Sequence, residues 1–205
     1  MNEQHLARAA RQLIEAGRYI SAHGWVPATS GNFSVKLPDG RIAITVSGTH
    51  KGQLTERDIM LIDAEGRALD ERKPSAESLL HTSIYRRYPE VGAVLHPHSP
   101  NSTLASRLFP DQIVLENYEL LKALDSVTTH EARVVIPIFP NDQNIPHLAL
   151  CVEEYMEMHR DVRGYIIAGH GFYTWGATLS DALRHVEALE FLFDLEIRLH
   201  GVRKP

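Results

Sequence analysis

Cysteine is almost absent: Cys151 is the single thiol in 205 residues. One thiol excludes an intramolecular disulfide framework and fits a reducing compartment. Its place in an apolar helical pattern predicts a buried thiol rather than a nucleophile. Long apolar runs are absent too, since none approaches the roughly 18–20 residues that a membrane span requires. Met1-Asn2-Glu3-Gln4-His5 has no basic stretch leading into an apolar core, so no signal peptide is expected and the cytoplasm is the expected location. Excess positive charge is lacking, since 21 Lys and Arg stand against 26 Asp and Glu for a formal net charge of −5. Lysine and arginine nowhere gather among aromatics, which argues against a nucleic-acid partner. The short basic pairs Arg86-Arg87 and Arg203-Lys204 read as solvated. Repeats, low-complexity tracts and linkers are missing, so residues 1–205 are expected to form one domain with a proper core. Histidine, by contrast, is abundant, with twelve residues that raise the expectation of a metal or acid–base site.

Periodicity supplies the elements. Leu6, Ala9, Ala10, Leu13, Ile14, Gly17 and Ile20 recur at helical spacing and predict a helix over 3–22. Residues 33–37 and 41–46, joined by Pro38-Asp39-Gly40, read as an antiparallel hairpin. Ile59 to Asp63 is a further strand with a short return over 67–70. Lys73-Pro74-Ser75-Ala76-Glu77 looks like a helix start running on to Tyr88. Helices are also predicted over 100–108, 144–159 and 180–200, the last capped by Thr178 or Ser180. Strands are predicted over 133–138, with Pro137 putting that one near an edge, and over 164–168, followed by extended chain to Gly176. Residues 116–124 carry no readable pattern. Early hairpins with later helix-separated strands imply a mixed or antiparallel sheet covered by helices.

Val91-Gly92-Ala93-Val94-Leu95 reads as a buried strand that runs into His96-Pro97-His98. Side chains two apart on an extended chain share a side, so both imidazoles can address one atom. The pair is either the first half of a metal site or two surface histidines on a loop. His170, between Gly169 and Gly171 at another strand end, would complete three nitrogen ligands and leave a zinc ion one open position. Otherwise it is a turn histidine stacked on Tyr173 or Trp175. Three turns, Ser30-Gly31-Asn32, Ser47-Gly48-Thr49 and the one containing Ser75, offer small residues and backbone donors that suit a phosphate, or they are plain turns. A helix start near Ser75 would add its positive end. Glu77 suits the first turn of that helix on structural grounds alone. Glu119 sits among apolar neighbours that could raise its pKa toward an acid–base role.

These motifs, taken in this order along the chain, resemble the class II aldolase and adducin family. The resemblance implies an α/β fold of the α+β type, three-layer α/β/α around a central, mainly antiparallel sheet. It further implies a homotetramer with the site near a subunit boundary. Zn2+, one per subunit, would be held by His96, His98 and His170. A small-molecule sugar phosphate would be held by Ser30, Gly31, Asn32, Ser47, Gly48, Thr49 and Ser75, with no nucleic-acid or membrane partner. Leu108-Phe109-Pro110, Tyr118-Glu119-Leu120-Leu121-Lys122 and the run from Gly169 to Gly176 are similar to the sugar-phosphate dehydratase branch, which implies Glu119 as the acid–base residue. The aldolases of the family use a glutamate matching Glu77, which is the alternative. A non-catalytic, adducin-like binding module is the reading from another class. The family's usual residue between the paired histidines is threonine, and Pro97 is expected to alter strand geometry without loss of ligands.

Overall fold

A computed structural model of the chain describes residues 2–159 and 161–203. Five α-helices and eight strands are present among the described residues: α1 Asn2–Ala22, β1 Asn32–Lys36, β2 Ile42–Thr45, β3 Ile59–Ile62, α2 Ser78–Arg87, β4 Ala93–His96, α3 Pro100–Leu108, β5 Gln112–Glu116, β6 Arg133–Phe139, α4 Ile145–Met158, β7 Gly164–Ile167, β8 Gly171–Gly176 and α5 Leu179–Arg203. The strands form one sheet in the order β3-β2-β1-β4-β8-β7-β6-β5. Every neighbouring pair is antiparallel except β6 with β7.

Alternation along the strands feeds two cores. Phe33, Ala43, Leu95, Ile166 and Phe172 face α1, α3 and α5 through Leu13, Ala105 and Leu192. Ile42, Ile44, Val94, Tyr165 and Tyr173 face α2 and α4 through Leu80, Ile84 and Val152. Neither sheet face is left wet, so the expected three-layer arrangement holds. Val94 and Leu95 point to opposite cores, which turns His96 onto the α2 side with Val94.

Several local expectations are corrected. The chain over 73–77 is not helical; α2 begins at Ser78 with Glu77 at its N-cap, and no side chain caps that end. Strand β5, at the sheet's edge, was hidden in a short stretch, and Glu119–Ala123 forms a 3-10 turn. The return over 67–70 amounts to one bridge between Ile62 and Ala68. Thr178, not Ser180, caps α5, trading hydrogen bonds with Asp181. Arg86 and Arg87 are not simply solvated, since they bind Glu153 and the Met156 carbonyl of α4. Arg203's side chain and Lys204 lie outside the described residues. Cys151 is only half-buried, with its Sγ 3.8 Å from His147 Nε2.

Gly17 shows how α1 docks. A Cβ there would stand 2.3 Å from the Lys51 carbonyl oxygen, in the 3-10 turn Lys51–Gln53. Helix propensity alone favours alanine over glycine by up to about 1 kcal/mol. Overpacking against backbone reverses the sign, so Gly17→Ala is expected to cost about 1–3 kcal/mol. Thermal denaturation checks this, and a raised Tm would contradict the docking described.

Candidate active site

Three segments meet at the C-terminal end of β4. His96 is its last residue, His98 lies two further on, and His170 sits in the turn between β7 and β8. Glu77, at the start of α2, completes the group. One ligand atom from each of Glu77, His96, His98 and His170 lies within 4.8 Å of all the others. His98 Nε2 is 2.9 Å from His96 Nε2 and 3.0 Å from His170 Nε2. His170 Nε2 is 3.1 Å from Glu77 Oε1, and His96 Nε2 is 3.8 Å from Glu77 Oε2. Pro97 therefore does not keep the paired histidines from converging.

The local sequence explains the convergence. Asn32 pairs with His96 across β1 and β4, and Gly31 comes so close that a Cβ would meet the His96 carbonyl oxygen at 2.7 Å. Gly171 admits the chain after His98 in the same way, a Cβ there standing 2.4 Å from the Pro97 carbonyl oxygen. His96 Nδ1 donates to the Phe172 carbonyl at 2.8 Å, which leaves the Nε2 lone pair for the cluster. The ring lies flat on Tyr173, centroids 3.9 Å apart. His170 stacks on neither Tyr173 nor Trp175; it meets His98 and His96 edge-on.

Electrostatics suit a cation. Burial holds His96 well below the ordinary imidazole range and takes His98 down to about 4, so both rings are neutral ligands at pH 7. Burial opposes ionisation of Glu77, but the His170 hydrogen bond, the electrostatic pull of the His96 and His170 rings and the Asn32 amide outweigh it. Its carboxyl is held well below the usual range. Three imidazoles and one carboxylate, with atoms near 3 Å apart, are a donor set for a divalent metal ion.

A buried polar ladder stands behind Glu77. Asn32 Nδ2 donates to Glu77 Oε2 at 2.6 Å, and the Asn32 oxygen meets His81 Nε2. Ser34 joins His81 Nδ1 at 2.7 Å to Tyr85 Oη at 2.8 Å. Glu77, His81 and Tyr85 follow one another at four-residue spacing along α2, opposite Asn32 and Ser34 of β1. That spacing was the signal by which His81 could have been found in the sequence.

Two of the small-residue turns adjoin the ligands, Gly31 at the His96 carbonyl and Ser75 at the Glu77 amide, while the third meets Lys51. Ser30 Oγ donates to Pro27 O at 2.7 Å and Thr49 Oγ1 to Val46 O at 2.8 Å, so both hydroxyls shape their own turns. Gly31 and Gly48 each have φ +75°, which a side chain would resist. Ser75 Oγ accepts from the Glu77 amide at 3.3 Å. The positive helix end expected near Ser75 is displaced to Ser78. Sequence reading missed Lys51, a buried lysine whose Nζ donates to Thr49 O at 2.8 Å and Thr29 O at 3.2 Å.

Glu119 does not join the cluster within one chain. It lines a separate cleft with Tyr118, Leu120, Ala123, Arg184, Glu187 and Phe191, where none of the four ligands appears. Its neighbours do not desolvate it: the side chain is 75% exposed. A hydrogen bond from Lys122 holds its carboxyl below the ordinary range, the reverse of the expected shift.

Known proteins share this arrangement of sequence and fold. The profile of the Class II Aldolase and Adducin N-terminal domain matches residues 11–197. A methylthioribulose-1-phosphate dehydratase of Methylococcus capsulatus is 67% identical over 204 residues, covering 100% of both chains. One from Pseudomonas fluorescens is 53% identical over 94% of each chain. Among solved structures, the L-fuculose-1-phosphate aldolase of Thermus thermophilus superposes with a TM-score of 0.76 at 27% identity, covering 97% of this chain and 98% of its own. With its three histidines, its glutamate and its three turns in the expected order, the chain belongs to the class II aldolase and adducin family.

Proposed function

We propose that this protein removes water from methylthioribulose 1-phosphate, the reaction for which its similar relatives are named, and so acts in methionine salvage. The observation that carries the reading is the intact Glu77, His96, His98 and His170 group in a chain so similar to those dehydratases. A scaffold of the adducin kind has no use for four converging ligands.

His96, His98 and His170 would hold one Zn2+ per subunit, with Glu77 beside them. When bound, the ion supplies Lewis-acid polarisation of the substrate's C2 ketone and C3 hydroxyl, which makes the C3 proton removable. The residues do the rest. Ser30, Gly31, Asn32, Ser47, Gly48, Thr49 and Ser75 hold the C1 phosphate. Dehydration takes a proton from C3 and gives one to the departing C4 hydroxyl, and the resulting enol relaxes to the 2,3-diketone. Glu119 is the acid–base residue: its carboxylate takes the C3 proton and, as the carboxylic acid, gives it to the departing C4 hydroxyl. Since the chain's own Glu119 lies in another cleft, that role requires a homotetramer in which one copy presents Glu119 to a neighbour's cluster. Burial in such a boundary would also supply the desolvation that the single chain lacks. A reducing cytoplasm suits the one half-buried thiol, and no described helix is long and apolar enough to cross a membrane.

The second reading, aldol cleavage with Glu77 as acid–base group, is favoured by the place of Glu77 within the cluster. One incubation separates them. Zinc-loaded protein and methylthioribulose 1-phosphate are followed by phosphorus NMR and mass spectrometry. A phosphate product lighter by one water is expected; dihydroxyacetone phosphate with a methylthio-aldehyde would establish cleavage instead.

A further inference from the structure

Lys51 is an unusual place to keep a charge. It is 1% exposed, at the start of a 3-10 turn pressed under α1. Buried ammonium groups are normally paired with a carboxylate, because leaving water is costly for a cation. Among the described residues Lys51 has no such partner within ion-pair distance. Its two hydrogen bonds go to the neutral carbonyls of Thr29 and Thr49. Asp58 and Glu77 act on it only through space, and burial takes its pKa down to about 8. One carbonyl directly precedes Ser30-Gly31-Asn32 and the other ends Ser47-Gly48-Thr49, so one ammonium ties these two turns together. Its charge also reaches the metal cluster, where it disfavours protonation of His98.

The two turns that Lys51 joins carry hydroxyls, amides and glycines but no cation of their own. Neutral donors cradle a phosphate, yet a dianion entering a part-buried site is held far better beside a fixed positive charge. We propose that Lys51 is the phosphate-positioning residue of this site: its buried ammonium clamps the first two turns and supplies the positive charge against which the substrate's phosphate is held. This rests on assigning the turns to the phosphate. It adds a charged residue that the small-residue pattern does not contain, and it makes a phosphorylated ligand the preferred one.

The test uses inorganic phosphate, so it does not depend on which sugar phosphate is turned over. Calorimetric titration of the zinc-loaded protein with inorganic phosphate gives the starting affinity. Lys51→Gln keeps a donor for the turn carbonyls but removes the charge, and Lys51→Met removes both. Loss of a charge-assisted bond predicts phosphate binding weakened about 10- to 100-fold in each variant. Zinc content and affinity for unphosphorylated methylthioribulose should change little, and Lys51→Arg should restore much of the phosphate affinity. In steady state the loss should fall on KM rather than kcat. A clamp without an electrostatic role would lower Tm and weaken both ligands equally, which overturns the proposal, as does unchanged phosphate affinity. If the neutral variants fail to fold, the unaltered protein labelled with 15N-lysine decides. Phosphate should then shift the slowly exchanging Lys51 ammonium resonance, and a resonance indifferent to phosphate overturns the assignment. An error in the reaction assigned above would appear as a different product with phosphate binding still dependent on Lys51.

Discussion

Replacing His96 with alanine is expected to strip the protein of both its metal and its turnover. His96 is fully buried, with Nδ1 fixed by the Phe172 carbonyl and the ring flat on Tyr173. Of the three imidazoles it is the one whose tautomer and orientation the fold sets most firmly. Its loss leaves two histidines and Glu77, one donor short of the group that converges in the unaltered chain. Lewis-acid stabilisation is worth several kcal/mol, so losing about 4 kcal/mol of it lowers kcat by about 10^3-fold. Metal analysis after gel filtration should show zinc well below one per chain. Because the ring also packs on Tyr173, Tm is read alongside, and a folded, fully loaded and active His96→Ala would refute the metal assignment.

The second large effect concerns the two glutamates. Glu119→Gln is expected to keep zinc and fold while kcat falls by about 10^2–10^4-fold, the usual contribution of a positioned acid–base group. The fold should not notice, since the Glu119 side chain is largely exposed and its ion pair is with nearby Lys122. Glu77→Gln should behave differently. Gln can still accept from Asn32, but it brings no charge to the three histidines, so zinc affinity is expected to fall along with rate. The outcomes are therefore told apart by metal content as well as by turnover. Full activity in Glu119→Gln, with inactivity in metal-loaded Glu77→Gln, would transfer the acid–base role to Glu77.

The parts of the molecule legible in the sequence are those specified by neighbours in the chain. Two-residue periodicity ending in His96 and His98 gives both a strand and a shared direction, and glycines around His170 announce a turn with room for a ring. The five-residue β5 was not legible, because Gln112-Ile113-Val114-Leu115-Glu116 is too short to show its alternation and lies in an otherwise patternless stretch. Glu119 misled for a related reason. Leu121 and Leu124 are apolar neighbours in sequence, but on a 3-10 turn they fold inward and leave the carboxylate outside beside Lys122. Lys51 carries no periodic signal at all; only the tertiary approach of α1 and two distant turns makes it buried. Glu77 was visible, yet its N-cap place, outside the first turn, depends on where Ser75 and Ser78 bond the backbone.

The site's two halves are joined through the pairing of β4 with β8, where Leu95 faces Thr174, and that pairing has a kinetic consequence. Residues so distant in the chain meet only after most of the polypeptide has been ordered, and loop-closure entropy must be overcome before the contact repays it. β1, paired with β4, cannot by itself bring His170 to His96. The ligand group is thus assembled by one of the most non-local steps of folding. An incomplete chain emerging from the ribosome without the turn after β7 carries the paired histidines but not the third, and cannot complete the three-histidine group around a metal ion.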